Sequence, residues 1–420
     1  MSSELILIVP FVVLLLSIAV FPLIFPEFWH ENYPRISIGL GLIVLLYYLF
    51  VEPDTAQLLH TFSEYISFIA LLFSLFVVSG GIFIKVKGKA TPLKNVLILF
   101  FGAVIANLFG TAGASMLLIR PFIESNKYRM HPYHIVFFIF IVGNIGGSLS
   151  PVGDPPLLLG YLKGVPFFWV MERLFVVWAG AVFILILLFF IIDTYYYHRI
   201  DEKVQDEIEY SGEKINVLGL VNLIPLAMII GSVFITKPVF VREIIMLSAA
   251  FLSLKITKKE IHKRNHFNYE PIKEVALLFL GIFLTMIPAL RYISVNSHLF
   301  GLDNVGNVFW AGGVLTSFLD NAPTYLNILS GTMGAFNLSL NNPLEVVKFS
   351  NEYPLYLKAV SVACVYFGAM TYIGNAPNFM IKTFAEHKGV KVPGFFEYMY
   401  KYSLVILLPL FVLIWLFFYR

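Results

Sequence analysis

Runs of about 20 apolar residues, each long enough to cross a hydrocarbon layer about 30 Å thick, follow one another from end to end of this 420-residue chain. That recurrence constrains the fold more than any motif. With 59% of residues hydrophobic and 13% charged, no segment between the runs is large enough to form a soluble domain. The longest polar stretches, 193–215 and 255–271, are loop-sized. The chain reads as an all-α polytopic membrane protein. The first apolar segment lacks a basic leader and a small-residue cleavage site, so it is expected to be a retained helix. Cys364 stands alone in an apolar run, which excludes disulfides and a cysteine metal site.

Ordinary spans are expected near 5–25, 36–51, 64–84, 169–192, 216–236, 240–254, 272–290 and 401–419. Four other apolar regions, 95–122, 133–163, 305–331 and 356–384, are interrupted at their middles by Gly, Pro, Asn, Asp, Ser or Thr. The interruptions match in pairs. SLSPVGDPPLLL (148–159) aligns without gaps on AMTYIGNAPNFM (369–380), placing Gly153 on Gly374, Asp154 on Asn375, Pro156 on Pro377 and Ser150 on Thr371. Upstream, FGTAGASMLLIRP (109–121) has a weaker counterpart in FLDNAPTYLNIL (318–329), and the stretch around Glu64 answers that around Glu270. The chain therefore divides into repeats, 1–215 and 216–420.

If 95–122 and 305–331 are re-entrant hairpins and 133–163 and 356–384 are broken helices, 21 of the 29 basic residues fall on one face, the cytoplasmic one. Basic residues then flank both ends of 95–122, as a hairpin requires. Lys85 to Lys94 is part of this topogenic charge and not a nucleic-acid patch. Each half then holds five spans, an odd number, so the two repeats have inverted topology. Inverted repeats with helices broken at the midplane are the architecture of secondary transporters.

Irregular backbone at membrane depth survives only where protein buries it or where it lines a wet cavity. Freed carbonyls, hydroxyls and carboxylates there make oxygen cages for a hard cation such as Na⁺. Asp154 and Asp320 are the expected midplane carboxylates, each needing a cation, a proton or a partner. Thr111, Ser115, Asn144, Ser148, Ser150 and Gly153 would complete a site in the first half. Asn321, Thr324, Thr371, Gly374, Asn375 and Asn378 would complete a pseudo-symmetric site in the second. Bland alternatives stand beside these. Asp154 would serve as a helix cap for the half-helix starting at Pro155, and single Ser and Thr hydroxyls would bond their own backbone. Arg120 and Lys382 would snorkel to the interface, and Glu64 and Glu270 would be solvated at span ends.

GNIGGSLSPVGD (143–154) resembles the signature of NhaD-type sodium/proton antiporters, and SFLDNAPT (317–324) resembles their LDN-containing hairpin. Both point to the ion transporter superfamily, which includes arsenite permeases, dicarboxylate symporters and citrate transporter-like (CitMHS-like) proteins. The resemblance implies Asp154 and Asp320 as cation- and proton-linked carboxylates. It implies Na⁺ (or Li⁺) exchanged for H⁺, a bacterial inner membrane and, since relatives are often dimers, a homodimer. The prolines after Asp154 depart from the antiporter pattern, where threonines follow. The rival within transport is a symporter of citrate or a similar carboxylate anion, driven by Na⁺ or H⁺; half-helix N-termini could bind such an anion, although no central Arg or Lys is evident. An intramembrane aspartyl protease would need Gly-x-Gly-Asp, but the chain reads Pro-Val-Gly-Asp at 151–154, so no enzyme is expected. There is no nucleotide or redox motif, so no cofactor is expected and an ion gradient is the expected energy source.

Overall fold

The computed structural model describes residues 3–87, 90–200, 214–235 and 237–420. The first half holds α1 (Ser3–Ile24), α2 (Pro26–Phe50), α3 (Thr55–Gly80), β1 (Phe83–Lys87), α4 (Pro92–Asn126), α5 (Pro132–Ile141), α6 (Pro155–Lys163) and α7 (Phe167–Tyr197). The second holds β2 (Lys214–Leu218), α8 (Leu223–Val233), α9 (Val241–Ile256), α10 (Lys259–Arg264), α11 (Glu270–Val295), α12 (Val305–Phe318) and α13 (Asn321–Ala335). It continues through α14 (Pro343–Glu352), α15 (Pro354–Tyr366), α16 (Ala376–His387) and α17 (Phe395–Phe418). Seven of the described helices, α1, α2, α3, α4, α7, α11 and α17, are long and apolar enough to cross a membrane. The chain is an integral membrane protein of the all-α polytopic class.

Length alone misleads for α4. Asn95 and Asn126, 31 residues apart, exchange amide hydrogen bonds of 2.9 and 2.7 Å, and the Ala90 N–H donates to Ser125 O at 3.0 Å. A straight helix would separate those asparagines by about 46 Å. The chain instead doubles back at Gly110, whose φ of 74° and ψ of 156° lie outside the helical region and favour glycine. Its two arms enter and leave on one face, so α4 is a hairpin. The pair α12–α13 turns back in the same way at Leu319–Asp320. A Cβ added at Gly312 would lie 3.7 Å from Ile328, and one at Gly331 only 2.5 Å from Leu302.

The base of the first hairpin is held by a polar cluster. Arg129 forks onto Asp193 of α7 at 2.5 and 2.8 Å. Tyr133 and Asn95 donate to the same carboxylate at 2.7 and 2.9 Å, and His134 Nε2 lies 3.1 Å from it. All five side chains are buried. A charge at that depth is tolerated because it is paired and its lone pairs are satisfied.

Both expected helix breaks are present. The chain leaves α5, makes a single 3₁₀ turn at Ile145–Gly147 and restarts at Pro155. It leaves α15, makes a 3₁₀ turn at Phe367–Met370 and restarts at Ala376. α5 is apolar all round, and every residue from Ile135 to Val142 is 0% exposed, as an all-apolar helix requires.

Several boundaries differ from the sequence reading. α2 begins at Pro26 rather than 36, because a helix started by proline runs on through polar turns beyond the bilayer. Residues 83–84 and 216–218, expected at span ends, lie instead in an antiparallel pair of strands, with Phe83 opposite Leu218 and Lys87 opposite Lys214. FIKVK and KINVL alternate polar and branched residues, a period-2 pattern that a hydropathy window averages away. α8 is correspondingly short, following a positive-φ turn at Gly219. Within 193–215, α7 extends to Tyr197, and 201–213 lies outside the described residues.

Candidate functional site

Asp154 is 1% exposed and sits where α6 begins, yet its side chain makes no capping hydrogen bond. The helix-cap reading fails here. Its carboxylate turns inward and accepts three neutral donors. Thr111 Oγ1 donates to Oδ1 at 2.8 Å, Asn375 Nδ2 to Oδ1 at 3.1 Å and Asn321 Nδ2 to Oδ2 at 2.8 Å. Thr111 begins the second arm of the first hairpin, Asn321 begins α13 after the second hairpin's turn, and Asn375 precedes α16. The two breaks and the two hairpin turns therefore meet at one carboxylate.

A second shell of amides ties the breaks to each other. Asn375 Nδ2 also donates to Asn144 Oδ1 at 3.1 Å, and Asn144 Nδ2 to Asn378 Oδ1 at 2.7 Å. Asn378 Nδ2 in turn donates to the carbonyls of Gly368 and Thr371, both at 2.8 Å. Each break is latched to its hairpin by a hydroxyl. Ser150 Oγ donates to Asn107 O at 2.6 Å, and Thr371 Oγ1 to Ser317 O at 2.5 Å. These latches make Asn107 the counterpart of Ser317, which sets Gly110 opposite Asp320 and Thr111 opposite Asn321. Gly153 and Gly374 are glycines for packing. A Cβ on Gly153 would come within 2.0 Å of Gly147 O, and one on Gly374 within 2.7 Å of Gly368 O.

The two pseudo-symmetric sites foreseen from sequence are thus one hydrogen-bonded site. Its second-half residues Asn321, Asn375 and Asn378 serve Asp154 directly or through Asn144. Asp320 plays a different local part: it is half-buried and caps α13, accepting from Ala322 N at 3.0 Å. Thr324 Oγ1 bonds back to Asp320 O at 2.8 Å. Ser148 Oγ bonds Ile145 O at 2.9 Å and lies 3.4 Å from Tyr366 Oη, so it too is turned away from Asp154. Ser115, one turn beyond Thr111, is 0% exposed with no partner for its hydroxyl.

Two further corrections concern charged groups. Glu64 is not solvated: Lys163, at the end of α6, pairs with it at 2.9 Å, with side chains 4% and 11% exposed. Arg120 does not snorkel; it is 8% exposed, while Lys382 does reach an exposed partner, Glu386, at 2.7 Å.

Asn107 is the residue that sequence reasoning passed over. Its amide accepts from Leu149 N and donates to Gly146 O, both at 2.8 Å, clamping the first break to the hairpin. Its position three residues before the glycine turn was the available signal.

Chemically, the site holds a buried carboxylate with no cationic side chain bonded to it among the described residues, and a spare oxygen, since Asn321 Oδ1 is buried with no partner. A half-turn of that amide, or of the Thr111 hydroxyl, would exchange a donor for an oxygen ligand. Oxygen donors of this kind suit hard monovalent cations and protons. Among the described residues no cluster of three or more His, Cys, Asp or Glu could hold a metal ion. No curated protein matches the sequence. A family described as "Putative citrate transport" matches residues 1–419.

Proposed function

The chain belongs to that citrate transport family, and from this premise we propose that it is a secondary active transporter which exchanges Na⁺ (or Li⁺) for H⁺ at Asp154. One observation carries the reading: a carboxylate 1% exposed, bonded by three neutral donors and, among the described residues, by no cationic side chain. A lone charge in a bilayer is costly, so a positive species has to offset it. A proton and a hard cation compete for the same oxygens, and that competition is exchange.

The donor set supports the same reading. Thr111 comes from the first half of the chain, and Asn321 and Asn375 from the second, so occupancy of the site is felt by both. Asp320, half-buried at the adjacent hairpin turn, would serve in this reading as a second proton-linked group. Paired broken helices argue for alternating access over a passive pore. A bacterial inner membrane, with the basic face cytoplasmic, fits the charge distribution.

The family's description favours a second reading, in which the cation or proton at Asp154 drives a carboxylate anion such as citrate. Three helix N-termini, those of α6, α13 and α16, converge on the site and present partial positive charge to an anion. The test uses proteoliposomes with an internal pH dye, given Na⁺, Li⁺, K⁺ or citrate in turn. Proton movement on Na⁺ or Li⁺ addition, lost in Asp154→Asn, is the expected outcome. Silence to every cation, with citrate uptake that depends on Na⁺ or H⁺, would move the function to carboxylate symport.

A further inference from the structure

Arg120 lies on the second arm of the first hairpin, 8% exposed. Its guanidinium carbon is 5.8 Å from the ring centre of Phe83 on β1 and 5.6 Å from that of Phe384 on α16. Among the described residues it makes no hydrogen bond and no ion pair; Glu124, a turn further on, is exposed and acts on it only through its charge. Its five N–H donors therefore have no acceptor among the described residues, and its nitrogens keep some accessible surface. Two aromatic faces offset only part of that burial.

Position gives the orphan cation a meaning. Arg120 is nine residues beyond Thr111, and Phe384 is nine beyond Asn375. Thr111 and Asn375 both touch Asp154. The Arg120–Phe384 contact thus lies between the hairpin and α16, about 13 Å from Asp154 toward the basic face. Nearby, Lys388 stands 5.9 Å from the Phe384 ring, and Arg264, itself paired with Glu260, 5.9 Å from the Phe83 ring. Both are exposed. The second hairpin has nothing comparable: its corresponding residue, Ser330, is buried and donates to Leu290 O at 3.1 Å.

We propose that Arg120 is a carboxylate-binding subsite, receiving one carboxylate of a small soluble polycarboxylate between the basic face and Asp154. A guanidinium presents two parallel N–H groups that match a carboxylate edge. The flanking rings hold its plane, and Lys388 adds positive charge nearby to draw the anion in. This deepens the carboxylate reading above, and its test reads binding without transport.

The full-length protein in a zwitterionic detergent is titrated with citrate at matched ionic strength, following thermal unfolding. Na⁺ titration serves in parallel as a control that reports on Asp154. Citrate should stabilise the wild type saturably. In Arg120→Gln half-saturation should move about 10- to 100-fold upward, the loss expected for a hydrogen bond to a charged group. Arg120→Lys, which keeps the charge and loses the fork, should fall between, and it carries the test if Arg120→Gln does not fold. No saturable citrate effect on the wild type, or an equal effect on the Arg120 variants, overturns the proposal. So does stabilisation by micelles containing phosphatidylglycerol but not by citrate, which would make the ligand a lipid phosphate. In the wild type, no citrate response beside an intact Na⁺ response refutes this subsite alone; no Na⁺ response refutes the reading of Asp154.

Discussion

Replacing Gly153 by alanine tests the first break at its tightest point. The new Cβ would lie 2.0 Å from Gly147 O, 2.8 Å from its carbonyl carbon and 3.1 Å from Asn107 Oδ1. The first two atoms are backbone and cannot rotate away. Reaching an ordinary separation of about 3.5 Å requires the segments to part by about 1.5 Å. That would break the bonds from Thr111 N to Gly153 O (2.8 Å) and from Gly153 N to Ser150 O (3.0 Å). Each of the two buried bonds lost costs about 1–3 kcal/mol, and overpacking adds about 1–3 kcal/mol. The sum, about 3–9 kcal/mol, is comparable with the whole stability of a typical domain, about 5–15 kcal/mol. Gly153→Ala should therefore unfold at much lower temperature in detergent and lose stabilisation by Na⁺. Gly374→Ala should be milder, its nearest backbone atoms being 2.7 and 2.8 Å away. Gly180→Ala is the control: nothing lies within 4 Å of its added Cβ, and in mid-helix it should gain about 0.5–1 kcal/mol. A Gly153→Ala protein with wild-type unfolding temperature and Na⁺ midpoint would refute the claim that backbone contact at this glycine sets the site.

Asp320→Asn preserves the cap on α13 and should leave the unfolding temperature unchanged, whereas Asp320→Ala should cost about 1 kcal/mol in a thermal scan. Lys163→Met leaves Glu64 buried without its partner and should cost about 3–5 kcal/mol, while Lys163→Met with Glu64→Leu should recover most of it; equal losses in the single and double variants would show that the pair is solvated. Asp193→Asn should loosen the hairpin base and speed hydrogen exchange at Asn95 and Asn126, since Arg129 and Tyr133 lose their shared acceptor; unchanged exchange would place the anchoring elsewhere. Glu52, in the loop before α3, is held below its ordinary range by the Arg291 hydrogen bond. A lowered carboxyl stabilises above the unfolded value and loses that contribution as pH falls, so Arg291→Gln should flatten the acid side of the unfolding profile below about pH 4.5.

The architecture was legible where glycine, proline and asparagine interrupt apolar runs, because such interruptions at membrane depth have few physical explanations. The gap-free match of 148–159 to 369–380 located both breaks, and the basic flanks of 95–122 indicated a hairpin. The structure adds the Asn95–Asn126 contact, which no hydropathy count supplies. What the sequence could not convey was direction. Asp154 and Asp320 look alike as acids beside helix starts, yet one turns into a ring of amides and the other caps its helix. That choice depends on which donors a distant segment brings near, Asn321 and Asn375 for Asp154 and only local N–H groups for Asp320. Arg120 and Glu64 were misread for the same reason. Their burial is created by β1, α16 and α6, elements whose proximity has no local signal.

The donors around Asp154 also indicate how a bound ion could be felt through the protein. Thr111, Asn321 and Asn375 belong to different segments but converge on one carboxylate, and the latches at Ser150 and Thr371 fasten each break to a hairpin. These pieces would move as a unit, because displacing one alone strands buried polar groups. Contacts from that unit to neighbouring helices include Lys163 with Glu64 of α3, Tyr161 Oη with Val233 O of α8 at 2.6 Å, and Ser330 Oγ with Leu290 O of α11. A hydroxyl can exchange its carbonyl for another at little cost, whereas a buried ion pair cannot part without leaving a charge uncompensated. Sliding at the hydroxyl contacts with the ion pair as pivot is therefore less costly than separation. A cation at Asp154 would compete for the donors that join the two halves of the chain. Differential occupancy of that one site would then bias the equilibrium between arrangements, which is all that coupling requires.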